Sequence, residues 1–554
     1  MELFPTTTAL LAAFPSSPAL PDGTMAGTAG RTSAGDGGGG NFFYKQSDTT
    51  SADNGGTIRV DGVGRRWYYV PEAEHIPVAI FGATPALSDC TAIFNAALIG
   101  AGALNLPINL RGNTYRFTGS ITMDVSKTSI IGPGTLDFTN VTGSYGIRPF
   151  TTWTDPNTMA SQHNTHPFRG FRIVGPASGP GKTCWSPAPS ILESTYWITG
   201  MVFDAISSNG WDVFFDICDG VVLLKMRDVV YGATTGHGSG WMFRNLGSSN
   251  VGENICLEHC DCVNAFGFML EQVPNANMDV NLVACSLDGL QVIMGAGTLG
   301  ASISGGVLGN YTFLGGHWEG AGYSSAYPMI WCGSAGVVKG YGVNFVPNVH
   351  NYYPFRSDAT AVGAGIIMDR FNVNDIGTWY NDTICAGSGN FEITAKGNGN
   401  TFMLHYAYAN NRQPDYVFAG QGSALWSPNP TTDASDKPSG ATRSAILPAN
   451  TITSFYTPCL PGQRIAAGIQ WKVSGLGSGD MVYLSAEYRD RNNSIVGIQA
   501  AIGQNTNTNG WVAQNVLPQH LAPPGTERVS ISFNYVTGAG GGTVKWALPR
   551  IIVS

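Results

Sequence analysis

Between Tyr196 and Pro347 one short pattern recurs, and it restricts the chain to a narrow set of architectures. Its copies centre on Met201-Val202-Phe203-Asp204, Met226-Arg227-Asp228-Val229, Cys260-Asp261-Cys262-Val263, Cys285-Ser286-Leu287-Asp288, Gly316-His317-Trp318-Glu319 and Tyr341-Gly342-Val343-Asn344. Each copy is an apolar residue, a short corner and a strand of period two, and three of the five steps between copies are 25 residues. A fixed period of this length marks a solenoid, whose units bury their apolar side only by stacking on neighbours. The units carry strand and turn signals without helical periodicity, so the expected fold is all-β, a right-handed parallel β-helix.

In this register the first and third positions of each copy fill the bore: Met201 and Phe203, Cys260 and Cys262, Cys285 and Leu287, Tyr341 and Val343. The second and fourth positions point outward and stack at the strand spacing of about 4.8 Å. One outward column then reads Val202, Arg227, Asp261, Ser286, His317, Gly342; the next reads Asp204, Val229, Val263, Asp288, Glu319, Asn344. A slip of one residue turns a strand inside out, so every assignment depends on the register.

Composition narrows the ligand. Charged residues are 12% of the 554, Gly numbers 73 and the net charge is −8. A surface poor in charge suits neutral or sugar-like ligands, and a negative chain lacks the basic footprint that nucleic acid requires. No apolar run is long enough to cross a bilayer, and the opening Met1-Glu2-Leu3-Phe4 lacks the basic start of a secretory signal. The one tight cluster of thiols and imidazole, Cys256, His259, Cys260 and Cys262, has the make-up of a zinc site. Because the register turns Cys260 and Cys262 into the bore, a column of free core thiols is expected, with no metal and no cofactor.

Residues 1–75 read as a small Gly-rich unit of hairpins: Gly35-Asp36-Gly37-Gly38-Gly39-Gly40 precedes Asn41-Phe42-Phe43-Tyr44, then Asp53-Asn54-Gly55-Gly56-Thr57 and Arg66-Trp67-Tyr68. With Ile80-Phe81-Gly82-Ala83 these segments resemble the opening of bacteriophage tailspikes and capsular polysaccharide depolymerases with a pectate-lyase-like β-helix. That family usually continues with Gly-Asp-Gly and Asp-Asp-Thr; here Thr84 to Thr91 keeps one Asp, Asp89, and the Thr. Ser88 or Asp89 caps a helix expected over 91–99, whose Ile93, Phe94, Ala97 and Leu98 plug the solenoid end. The body spans 76–420, with surface loops such as Trp185 to Pro189. A linker covers 421–440, and a jelly-roll-like β-sandwich covers 441–554.

The resemblance implies a homotrimer on the virion, made in the host cytoplasm. Its N-terminal unit attaches to the phage tail or an adaptor protein. Its body binds and cleaves a bacterial surface polysaccharide, capsule or O-antigen, without nucleic acid or membrane insertion. The sandwich either trimerises the chain or binds sugar. Glycoside hydrolysis needs two carboxylates, and the outward columns offer Glu319 with Asp288, with His317 tuning Glu319 or holding the sugar. Asp261, Arg227, Asp204, Trp211 and Trp241 are the expected substrate contacts, the two indoles as stacking platforms.

Three alternatives stand beside this reading. A lyase would use His317 as base and Arg227 to quiet a uronate. A non-catalytic glycan-binding fibre would only grip the polymer. Gly236-His237-Gly238 matches a polygalacturonase motif, but its companion motifs are missing.

Overall fold

In a computed structural model of the chain the described residues are 1–16, 19–71, 73–151, 166–177, 181–187, 198–233, 240–248, 251–300, 303–320, 328–347, 355–359, 364–373, 385–386, 391–397, 400–406, 431–433, 435–436, 444–447, 451–458, 464–490, 494–504, 506–508, 510–526, 528–536 and 542–553. They form an all-β protein built on a parallel β-solenoid. Two compact units divide the chain, Met1–Ile303 and Ser304–Ser554.

The first unit opens with a small sheet. Strand Glu2–Phe4 lies parallel to Met25–Thr28, and antiparallel strands Gly40–Tyr44, Arg66–Val70 and Ile58–Val60 follow. Alternating aromatics drive it: Phe42, Trp67 and Tyr69 are buried with Leu10 of helix Thr7–Ala13. Arg31 ties this sheet to the solenoid, donating through one nitrogen to the carbonyls of Gly55 and Ile80. Phe81 lies between Gly56 and Gly100, where an added Cβ would meet its ring at 2.5 and 2.6 Å.

Helix Thr91–Gly102 runs three residues beyond its expected end and buries Phe94, Ala97 and Leu98. Cys90 occupies the cap position, but Asp89 does the capping chemistry: its carboxylate accepts from the Thr91 amide at 2.9 Å and the Thr118 hydroxyl at 2.9 Å. Burial alone would raise the Asp89 carboxyl; these hydrogen bonds outweigh it and bring it down to about 2.

Each coil has three faces. On the first, Val202–Asp204 pairs with Lys225–Arg227, then Ile255–Glu258, then Asp279–Val283. On the second, Arg172–Val174 pairs with Ser207–Asn209, Val230–Gly232, Asp261–Val263 and Ser286–Leu290 in turn. On the third, Thr183–Trp185 is followed by Val213–Ile217, Trp241–Asn245, Gly267–Glu271 and Val292–Gly297. A single left-handed residue turns the chain from the first face to the second in each coil: Gly170, Ala205, Asp228, His259 and Ala284. The residue after it (Phe171, Ile206, Val229, Cys260 or Cys285) enters the bore. Aromatic rings stack along that bore, Phe117 on Phe138 at 4.6 Å and Phe168 on Phe203 at 5.1 Å.

This register corrects the expected one. Asp204 opposes Arg227, and Arg227 opposes Glu258, all on the first face, whereas Asp261 opposes Val230 and Ser286 on the second. The Met201 and Met226 copies had been aligned through their first-face strands; the equivalents of Cys260 are Ile206 and Val229. A left-handed Ala carries no turn signature, and a lone Asp inside a strand pattern does not mark which side of it the corner lies on. Tyr341, expected in the bore, is 40% exposed, and Val343 is the buried residue.

The second unit also holds parallel strands. Asn310–Leu314 pairs with Val337–Tyr341 and then Gly365–Val373, His317–Gly320 pairs with Asn344–Pro347, and Ile330–Cys332 pairs with Phe355–Ser357. Phe345 stacks on Phe371 at 5.5 Å, and Trp318 is buried as expected. Beyond them lie two antiparallel sheets of five and four strands, whose facing residues Trp471, Phe533 and Trp546 make one core. Strand Thr431–Asp433 falls within the expected linker and pairs with Ser444–Leu447 in the five-stranded sheet. Among the described residues no helix is long and apolar enough to cross a membrane.

Candidate functional site

On the second face of the first unit, side chains that cannot enter the bore form an outward column: Arg172, Ser207, Val230, Asp261, Ser286. Asp288 opposes Val263, so it lies one rung along and two residues on from Asp261. The Ser286 hydroxyl donates to its Oδ2 at 2.8 Å. Burial, and then repulsion from Asp288 and Asp228, push the Asp261 carboxyl up. A carboxyl whose charged form is penalised beside a second carboxyl has the make-up of an acid and base pair. Asp261 was expected as a substrate contact; the structure places it one rung from Asp288.

His317 and Glu319 lie in the second unit, both half-buried and outward on strand His317–Gly320. His317 Nδ1 is 3.0 Å from Asn344 Nδ2, and Asn344 Oδ1 accepts from Asn372 Nδ2 at 3.1 Å.

Asp204 and Arg227 belong to the first face. Asp204 is 8% exposed and held by two guanidiniums, Arg227 Nη2 at 3.0 Å and Arg169 Nε at 3.3 Å. The hydrogen bond to Asp204 and its charge raise Arg227 further above its ordinary value. This is a ladder of alternating charge across successive rungs, in which Asp204 is engaged by both guanidiniums.

The two indoles are also corrected. Trp211 is 1% exposed, packed against Phe138 at 5.7 Å, and Trp241 is 2% exposed, against Phe266 at 5.3 Å. Their small neighbours in space make room for the rings in the interior: an added Cβ at Gly146 or Gly175 would strike Trp211, and one at Gly267 would strike Trp241. Trp185, assigned to a surface loop, ends strand Thr183–Trp185 and is buried.

Other acids are structural. Asp216 is fully buried and bound by Arg244 at 2.8 and 2.9 Å, and Asp212 accepts from the Gly181 and Lys182 amides. His259 turns outward to Asp228 at 3.8 Å, away from the buried Cys260 and Cys262. Cys90, Cys184, Cys218, Cys256, Cys260, Cys262, Cys285 and Cys332 are free. Gly236-His237-Gly238 lies outside the described residues.

Sequence reasoning missed one feature entirely. A groove of about 420 Å³ follows the corner between first and second faces, lined by Gly134, Gly170, Arg172, Ala205, Ser207 and Asp228 among others. The signal was a run of small residues, Gly170 and Ala205, at successive corners.

Comparison with known proteins agrees at both levels of organisation. Residues 13–72 match the family described as phage tail protein small four-stranded β-sheet domain. Residues 13–72 are thus similar to a phage tail domain. Within that match lies the four-stranded antiparallel part of the N-terminal sheet.

Among solved structures, the chain is similar to the enzymatically active domain of tailspike protein 4 of bacteriophage CBA120. Identity is 13%, the match covers 100% of this chain and 78% of that one, and the TM-score is 0.58. It also matches the tailspike protein of Acinetobacter phage vB_ApiP_P1 at 11% identity, covering 98% and 99% of the two chains, with a TM-score of 0.47. The first similarity shows a shared fold. No curated protein sequence matches.

Proposed function

We propose that this chain is a phage tailspike that binds a bacterial surface polysaccharide, capsule or O-antigen, and depolymerises it by glycosidic hydrolysis. The observation that carries the mechanism is the pair on adjacent rungs of the second face: Asp261, whose carboxyl is pushed up by burial and by Asp288 and Asp228, and Asp288, which accepts from Ser286. Asp261 donates a proton to the leaving oxygen, and Asp288 attacks the sugar or activates water. Glu319 with His317 is the second carboxylate position put forward, on the corresponding face of its own unit.

The phage tail match at residues 13–72 supports attachment to the virion through the N-terminal unit. Exposed Ile495, Val496, Ile498, Val512 and Leu521 on the C-terminal sheets support assembly with further copies, three by resemblance.

The test is incubation with purified capsular and O-antigen polysaccharides, followed by size separation and ultraviolet absorbance. Wild type is expected to shorten one polymer without generating an absorbing unsaturated sugar. Asp261→Asn and Asp288→Asn are each expected to slow shortening about 100-fold or more with unchanged melting temperature. Glu319→Gln tests the second position in the same assay. An absorbing product would establish a lyase, and binding without shortening would establish a glycan-binding fibre.

A further inference from the structure

Among the described cations on the first unit's outward faces, Arg172 is the one that lines the 420 Å³ groove. It is exposed, and among the described residues no carboxylate lies within ion-pair distance of it. Arg169 and Arg227, on the neighbouring face, are engaged by Asp204. Arg227 is also approached by Asp228 and opposed by Glu258, so of these three guanidiniums Arg172 is the one that no carboxylate engages among the described residues. A guanidinium left unengaged in a groove is a place where a ligand carboxylate can pair.

The shape agrees with the charge. Gly170 and Ala205 occupy corners where Asp228 and His259 stand on the following coils, so the wall drops away over two rungs and rises again. The depression is lined by the exposed Val230, an apolar surface that accepts a sugar ring, and by Arg172. In register, Arg172 is followed by Ser207, Val230 and Asp261. Three rungs at about 4.8 Å put the anchor and the acid about 14 Å apart along the solenoid axis.

From this we infer that the groove is a subsite for a carboxylate-bearing sugar, so that the polymer is an acidic polysaccharide lying along the second face, with Arg172 as its specificity-determining contact. A planar guanidinium pairs with a carboxylate through two parallel hydrogen bonds. The inference rests on the proposed depolymerase function for its direction along the column, but binding tests it separately.

The experiment uses the full chain on an array of purified acidic capsular polysaccharides, each in native form and after its carboxylates have been reduced to alcohols. At least one native polymer is expected to bind, its reduced form at least tenfold more weakly, and Arg172→Gln is expected to bind the native polymer no better than wild type binds the reduced one. Arg172→Lys should recover part of the loss. Because Arg172 is exposed and makes no ion pair, both variants should melt with wild type. Equal binding of native and reduced polymer, full binding by Arg172→Gln, or no binding to any acidic polymer would overturn the inference. Size separation of the same mixtures reports on depolymerisation: charge-dependent binding without shortening would leave the subsite standing and remove the hydrolase.

Discussion

A carboxyl serves as an acid near neutrality only where its surroundings penalise the charged form. At Asp261 the penalty comes from burial and from two like charges, Asp288 and Asp228. Asp261 must be protonated to act, so depolymerisation should be present below its raised pKa and fall as pH rises through it. The limb should shift to lower pH in Asp288→Asn, measured on residual activity, because one of the repelling charges has gone. Asp89 works in the opposite sense. Its carboxyl is held down to about 2, so its contribution to stability is complete above about 4 and is lost as pH falls toward 2. Asp89→Ala should cost about 0.5–1 kcal/mol at pH 7 by thermal unfolding, and less at pH 2, since the site is exposed. At this scale the sequence conveyed residue type better than exposure. Trp211 and Trp241 sit next to Gly or Ser in the chain, which suggested open platforms, whereas Gly146, Gly175 and Gly267 on neighbouring coils provide the space that buries them.

The element that decides the register is the one-residue corner. Ala205 holds φ at 52°, a region an L-residue enters at a cost of about 1–2 kcal/mol and a β-branched residue enters worse. Ala205→Val should therefore lower unfolding stability by about 1–2 kcal/mol, while Ala205→Gly should be neutral or stabilising. Equal effects of the two would mean the corner is not left-handed. Phe81 makes the N-terminal sheet and the capping helix into one end of the solenoid because Gly56 and Gly100 let its ring close between them. Gly100→Ala should cost about 1–3 kcal/mol, read in the same unfolding assay. The helix itself was legible from its apolar spacing, and the phage tail sheet from its alternating aromatics. The corners were not, since Ala205, Asp228, His259 and Ala284 share no side-chain chemistry.

Across the whole molecule, exposed aliphatic residues on strands such as Ile495–Gln504 need a covering partner in water. Light scattering is expected to give three times the chain mass, and Ile498→Glu is expected to reduce it; a monomeric wild type would end the trimer proposal. The sequence alone determined that the chain is a β-solenoid with a small leading sheet and a trailing sandwich, because period-two strands repeating at about 25 residues have no other way to bury their apolar side. It also determined which residue types point away from the bore within each correctly bounded strand. Tertiary structure alone decided which face each strand belongs to, and so that Asp204 and Arg227 neutralise each other while Asp261 stands one rung from Asp288. Strands on two faces separated by one corner residue have the same alternation, and only hydrogen-bonded registry between coils tells them apart.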